Sequence, residues 1–337
     1  MERNAKIGIA GVVLVGLGVA VYYQHKKDAA LGTQAAKADL PELKVPDDVD
    51  KLDIVNGSKG EVVLEKHGDK WEITKPVDAP ANQTNVKSLV DNMKELKLTD
   101  VATNNADDES KKTYELTPDK AVHVMAFKGA DKKFDATFGK SGGLGDAMML
   151  EGKPEIYLVK GYSSWMYAKE PKDWRDREIL KFEDADVTSI ALDGKSGHFL
   201  FTKNDKDWTG TDDKKPIPHF DPEKAKTTVA AFKNLMAEDF GDGKTPAETG
   251  LDAPEETVTI KMKDGATHVI KIGKAAEKGA HYAEKEGDAT IYTIGSYPYE
   301  WATGEESKYQ QPTDAGAPDS GAPHAKPAAP KTDAGKK

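Results

Sequence analysis

Two stretches of this chain carry the same order of signals about 135 residues apart, and that duplication limits the possible folds more than any single motif. The first copy runs through Lys70-Trp71-Glu72-Ile73, an amphipathic stretch at 85–96, Tyr114-Glu115-Leu116-Thr117-Pro118, Phe138-Gly139-Lys140 and Ile156-Tyr157-Leu158-Val159. The second runs through Asp207-Trp208-Thr209, a stretch at 223–236, Thr249-Gly250-Leu251-Asp252-Ala253-Pro254, Ile272-Gly273-Lys274 and Ile291-Tyr292-Thr293-Ile294. A period of this length exceeds a solenoid unit and fits a doubled lobe of domain size. A chain doubled this way is expected to offer a broad surface and a groove between its lobes.

Each copy opens on a hairpin signal. Residues 62–66 and 70–74 alternate around a His67-Gly68-Asp69 turn, and 199–202 and 207–209 do so around Asn204-Asp205. A helix follows. Val86, Leu89, Val90, Met93 and Leu96 recur at three- and four-residue steps, with Asn82 or Thr84 available as cap. In the second copy Asp221 caps, Pro222 takes the first turn, and Val229, Phe232, Leu235 and Met236 form the stripe. Short apolar runs at 122–127, 134–138 and 156–159 are matched by 258–262, 268–272 and 291–294. Strands flanking one helix without regular alternation predict an α+β fold: two pseudo-repeated lobes, each a mainly antiparallel sheet with one principal helix.

Ahead of the lobes, residues 7–23 are uncharged, flanked by Arg3 and Lys6 before and His25, Lys26 and Lys27 after. That length is at the short end for a transmembrane helix. Tyr22 and Tyr23 suit an interfacial belt, and no small-x-small cleavage pair follows the run, so an uncleaved anchor is expected rather than a signal peptide. A short N-terminal tail with all the folded mass behind it predicts that the C-terminal part is exported. The domain map is therefore 1–27 anchor, 28–50 linker, 51–170 first lobe, 171–185 inter-lobe linker, 186–302 second lobe and 303–337 disordered tail rich in Pro and Ala. After Tyr309 the chain has no large apolar residue, too little to offset the entropy of ordering.

A formal net charge of −10 argues against a nucleic-acid partner. Cysteine is absent, which removes disulfides, thiolate zinc sites and cysteine nucleophiles. Gly139-Lys140-Ser141 and Gly243-Lys244-Thr245 resemble the end of a phosphate-binding loop. Phe134 and Glu238 stand where its first glycine belongs, so both read as turns. Asp205 and Asp207 near Gly210 lack the later ligands of a calcium loop, and the histidines show no zinc-like spacing. No nucleophile elbow appears, and Asp107-Asp108-Glu109 and Asp212-Asp213 read as solvated loops. No catalytic residue, cofactor or metal is expected. Trp71, Trp208, Tyr157 and Tyr292 read as duplicated core aromatics.

Arginine occurs only at Arg3, Arg175 and Arg177. Two of the three flank Asp176 beside Trp174, a composition favoured in binding hot spots. Trp174, Arg175 and Arg177 are therefore the candidate partner-binding residues, and an ion-paired linker is the plainer account of the same residues.

Taken together, Trp71-Glu72-Ile73-Thr74-Lys75-Pro76, Tyr114-Glu115-Leu116-Thr117-Pro118, Gly250-Leu251-Asp252-Ala253-Pro254, the glycine turns, the Ile-Tyr strands and Trp174-Arg175-Asp176-Arg177 resemble the DUF4340 domain family of bacterial envelope proteins over most of residues 50–300. The second copy departs from the pattern at Thr209-Gly210. The resemblance implies a single-pass inner-membrane protein with extracytoplasmic domains, an accessory to ABC-type transport or gliding-motility systems. It carries no catalytic residues. The expected function is binding or scaffolding of an envelope protein partner. The alternative is an enzyme modifying envelope polymers, with its site in the inter-lobe groove.

Overall fold

The computed structural model describes residues 40–312 except 46 and 206. The expected anchor at 7–23, most of the 28–50 linker and the tail beyond 312 lie outside the described residues. Among the described residues no helix is long and apolar enough to cross a membrane. The chain divides into two compact units between Asp176 and Arg177.

The first unit contains β1 (Lys51–Asn56), β2 (Gly60–His67), β3 (Lys70–Lys75), β4 (Ala79–Pro80), α1 (Gln83–Glu95), β5 (Lys97–Thr103), α2 (Asp108–Thr113), β6 (Val122–Lys128), β7 (Asp131–Gly142), β8 (Gly145–Leu150), β9 (Ile156–Lys160) and α3 (Ser164–Tyr167). Its nine strands form one antiparallel sheet in the order β4-β3-β2-β1-β6-β7-β8-β9-β5. The second unit contains β10 (Glu178–Lys181), β11 (Val187–Gly194), β12 (Gly197–Asn204), β13 (Asp207–Asp212), β14 (Lys215–Pro216), α4 (Pro222–Phe232), β15 (Asn234–Met236), β16 (Asp239–Phe240), α5 (Pro246–Thr249), β17 (Glu256–Met262), β18 (Thr267–Ala275), β19 (His281–Lys285), β20 (Tyr292–Ile294) and α6 (Ser296–Ala302). Its large sheet runs β14-β13-β12-β11-β17-β18-β19-β20-β16, the same sequence of connections, and β10 pairs separately with β15.

In each unit one principal helix covers one face of the sheet. Asn82 caps α1 by accepting from the Asn85 amide, and Val86, Leu89, Val90 and Met93 face the core. Asp221 caps α4 by accepting from the Glu223 amide, and Ala225, Thr228, Val229 and Phe232 are buried. A side-chain oxygen at this position satisfies an amide that the helix itself leaves open.

The Leu-x-x-Pro element has a structural cause. Each short helix ends in a left-handed residue, Glu115 after α2 and Gly250 after α5, which turns Leu116 and Leu251 inward. The carbonyl left at the helix end then sits against the second strand that follows, β7 in one unit and β18 in the other. A Cβ on Gly139 would lie 2.2 Å from the Tyr114 carbonyl oxygen, and one on Gly273 would lie 2.2 Å from that of Thr249. Only glycine permits this approach.

The departure at Thr209-Gly210 is an exchange of bulk. Ile73 and Ala81 fill the first core; at the matching places stand Gly210 and Phe220. A Cβ on Gly210 would lie 2.3 Å from the Phe220 ring, so the large group has moved from one strand to the facing segment.

Four expectations about boundaries change. The second helix stops at Phe232, because Asn234–Met236 forms β15 and pairs with β10. Ile179 and Leu180 of β10 are buried in the second core, so 171–185 is not a free linker. The second unit also continues past 302, through a 3-10 turn at Glu306–Tyr309. At the other end Leu43, Val45 and Val49 pack on the first core, so the last residues of the 28–50 stretch are part of that unit.

Candidate functional site

The Trp174 element is a strap. Trp174 ends a 3-10 turn (Pro171–Trp174) and is 0% exposed, inside the first core. Its carbonyl accepts the Asn82 amide at 2.7 Å, and the Asp176 amide donates to the Pro80 carbonyl at 2.9 Å. Arg175, also buried, forms a bridge with Ala81. Arg177 is half-buried and belongs to the second unit, where its carbonyl accepts the Ala237 amide at 2.8 Å. The second unit repeats the device: the Tyr309 carbonyl accepts the Asp221 amide at 2.9 Å, Gln310 bridges Phe220, and the Gln311 amide donates to His219. Trp174 and Tyr309 thus seal their cores beneath the helix N-terminus. The indole offers no open face to a partner. The sequence signal for Tyr309 was present, since it stands about 135 residues after Trp174 in the repeat register.

The loop-like motifs resolve into structure. Gly139-Lys140-Ser141 lies within β7 and Gly273-Lys274-Ala275 within β18, both strands rather than turns. Gly243-Lys244-Thr245 leads into α5, where Thr245 and Glu248 form a capping box. Asp205 makes the β12–β13 turn with φ 54°. Asp107 caps α2, and Asp213 sits in the β13–β14 turn with φ 46°. Trp71, Trp208, Tyr157 and Tyr292 are buried. Tyr157 donates to Glu155 and Tyr292 to Asp288, so each phenol keeps a carboxylate partner.

Two places carry chemistry that the repeat does not require. The first is a cavity of about 480 Å³ in the first unit, lined by Asp100, Val101, Tyr114, Lys140, Leu144 and Leu158. Leu144 sits at the tip of the β7–β8 hairpin between glycines and is 80% exposed. The Lys140 ammonium forms no ion pair among the described residues, and the Asp100 carboxylate accepts its neighbour Val101's amide. The second place is one end of the second sheet. Glu255 accepts from Lys195 at 2.9 Å and meets the Tyr299 hydroxyl at 3.4 Å. The His281 ring stacks on Tyr299 with centroids 3.4 Å apart. Burial pushes His281 toward the neutral form and Glu256 toward the protonated form.

Glu256 has a structural explanation. In the first unit Asn56 accepts from the Ser58 amide and hydroxyl to close the β1–β2 turn. In the second, Gly194 occupies the Asn56 place, and Glu256 reaches across from the neighbouring strand to accept the Ser196 amide. A Cβ on Gly194 would lie 2.3 Å from that carboxylate. Among the described residues no group of His, Asp or Glu is placed to hold a metal ion.

The chain thus has two units, each a nine-stranded antiparallel sheet of the same strand order with a few short helices and a sealing aromatic strap. The chain belongs to the family described as Domain of unknown function (DUF4340), whose model matches residues 71–254, more than half of its length. No curated protein and no solved structure matches it.

Proposed function

We propose that this protein is a membrane-anchored extracytoplasmic binding or scaffold protein, an accessory component of a transporter-like envelope system. In this reading residues 7–23 hold it in the inner membrane and both sheet units lie outside the cytoplasm. The two units derive from one duplicated α+β lobe, a reading supported by their common strand order. The observation that carries a binding role is the β7–β8 tip. A leucine held 80% exposed between Gly143 and Gly145, over a cavity whose Lys140 ammonium forms no ion pair among the described residues, is costly to leave in water and suited to a partner's apolar side chain.

Crosslinking in intact cells followed by affinity recovery tests it. Leu144→Asp should remove a specific crosslinked band while leaving the protein's amount and membrane fraction unchanged. Identical bands in identical yield would sink the binding role. A single cysteine at Thr99, in a chain that has none, should react with an impermeant maleimide before lysis; reaction only after lysis would sink the orientation.

A further inference from the structure

Three departures of the first unit from its repeat fall around the cavity beneath Leu144. At the hairpin tip, the turn that holds Leu144 is matched in the second unit by Glu277–Gly279, where Glu277 and Lys278 are exposed. The scaffold therefore closes this turn without an exposed leucine. At the cavity wall, Lys140 forms no ion pair among the described residues. Its counterpart Lys274 donates to the Ala247 and Glu248 carbonyls at 3.1 and 3.4 Å and so closes the end of α5.

The third departure is at the sheet edge. Lys97 of β5 stands directly across from Lys160 of β9; both are exposed, and neither forms an ion pair among the described residues. Like charges in that relation repel. The second unit has Gly295 at the place of Lys160 and holds the Glu238 carboxylate over it, 2.5 Å from where a Cβ would stand. The basic pair is thus a property of the first unit alone.

Asp100 is the one carboxylate in the cavity lining, and the scaffold accounts for it. It accepts the Val101 amide at 2.8 Å, and Asp239, at the matching place beside β20, accepts the Phe240 amide at 2.9 Å. The lysines have no such explanation. An anionic group would satisfy them.

The geometry selects the kind of anion. The floor is apolar, built from Val101, Ala147 and Leu158. Leu158 and Lys160 lie two residues apart on one face of β9, roughly 7 Å from each other. An extended polypeptide repeats its side chains at the same interval on one face, so an apolar side chain above Leu158 puts its second neighbour above Lys160. We propose that the cavity takes an extended acidic segment of a partner protein: an apolar side chain enters under Leu144, and carboxylates at alternate positions meet Lys140 and the Lys97–Lys160 pair. This rests on the binding role assigned above to the same tip and gives the partner its chemistry.

The test uses the full chain in detergent and a fluorescein-labelled peptide with leucine at its centre and glutamate two residues to either side, in a glycine-serine frame. The control peptide has glutamine for both glutamates. Anisotropy should show the glutamate peptide binding about tenfold tighter, with the difference shrinking as salt rises from about 50 to 300 mM. Lys140→Met should weaken it about fivefold. Lys97→Glu with Lys160→Glu keeps the like-charge opposition within the sheet, so it should reverse the preference toward a peptide with lysine for both glutamates. Equal affinity for the glutamate and glutamine peptides, no reversal in the double variant, or no saturable binding below about 1 mM would each overturn the proposal. A shift of the Leu144 methyl resonances by short-chain phosphatidylglycerol but not by the glutamate peptide would assign the cavity to an anionic lipid and overturn it as well. Leu144-dependent crosslinks in cells alongside equal peptide affinities would leave the binding role standing and remove only the acidic partner, so the two readings fail separately.

Discussion

The exchange of Gly210 and Phe220 for Ile73 and Ala81 predicts a compensating pair. Gly210→Ile alone drives a branched side chain into the Phe220 ring, whose nearest atom lies 2.3 Å from where Cβ would stand. Overpacking of this kind costs about 2 kcal/mol. Phe220→Ala alone empties the space beside Phe201, whose ring centroid is 5.7 Å from that of Phe220. Because Phe220 is only partly buried, the loss is set below the full Phe-to-Ala range, again at about 2 kcal/mol. Together the two changes recreate the first unit's arrangement, so the double variant should fall within about 1 kcal/mol of wild type. The coupling is then about 3 kcal/mol, the upper end for residues in direct contact. Hydrogen exchange at the β13 amides reads this locally, with the β3 amides as an internal reference in the untouched unit. Strict additivity, with coupling within about 0.5 kcal/mol of zero, would refute the argument that bulk has been traded between the two positions.

Tyr309→Phe removes a buried hydroxyl without a hydrogen-bond partner among the described residues and keeps the ring contacts to Phe199 and Phe201. Thermal unfolding should show it neutral or up to about 1 kcal/mol more stable, and a clear loss would reveal a bond to that oxygen. Glu256 is held toward its protonated form, so its folded pKa lies above its unfolded one. Its contribution is most favourable below the ordinary glutamate range and is lost as pH rises through the raised value. Glu256→Gln keeps an acceptor for Ser196 and should flatten the stability profile across that window; a superimposable profile would contradict the assignment. Gly139→Ala meets the Tyr114 carbonyl and should cost about 2–3 kcal/mol by denaturant titration, whereas Gly143→Ala meets nothing and should stay within about 0.5 kcal/mol.

The features legible in the sequence were those with local chemistry. Asn82 and Asp221 are found at their helix starts because a capping oxygen is a nearest-neighbour requirement. The hairpins are found because Gly68 and Asp205 mark backbone turns. No comparable local signal marks β1 or β11. In β11 an irregularity between Val187 and Ser189 breaks the two-residue alternation, and β1 follows directly on an Asp-rich stretch. Leu235 continues the spacing of the second helix although it lies in β15, since periodicity cannot register a competing strand partner. The composition of Trp174-Arg175-Asp176-Arg177 suggests an exposed hot spot, and only the burial of Trp174 shows that it faces inward. Glu255, His281 and Tyr299 meet from three separate segments, a proximity that only the tertiary fold creates.

The straps have a consequence in time as well as in space. Each core receives its closing aromatic from the end of the described part of its own unit, Trp174 in one and Tyr309 in the other. A polypeptide emerging from its N-terminus can therefore complete the first sheet while the second is still being made, and domains that finish one after another avoid mispairing with a neighbour of the same strand order. For a protein whose halves share one strand order, that staggered completion keeps strands of one copy from being captured by the other.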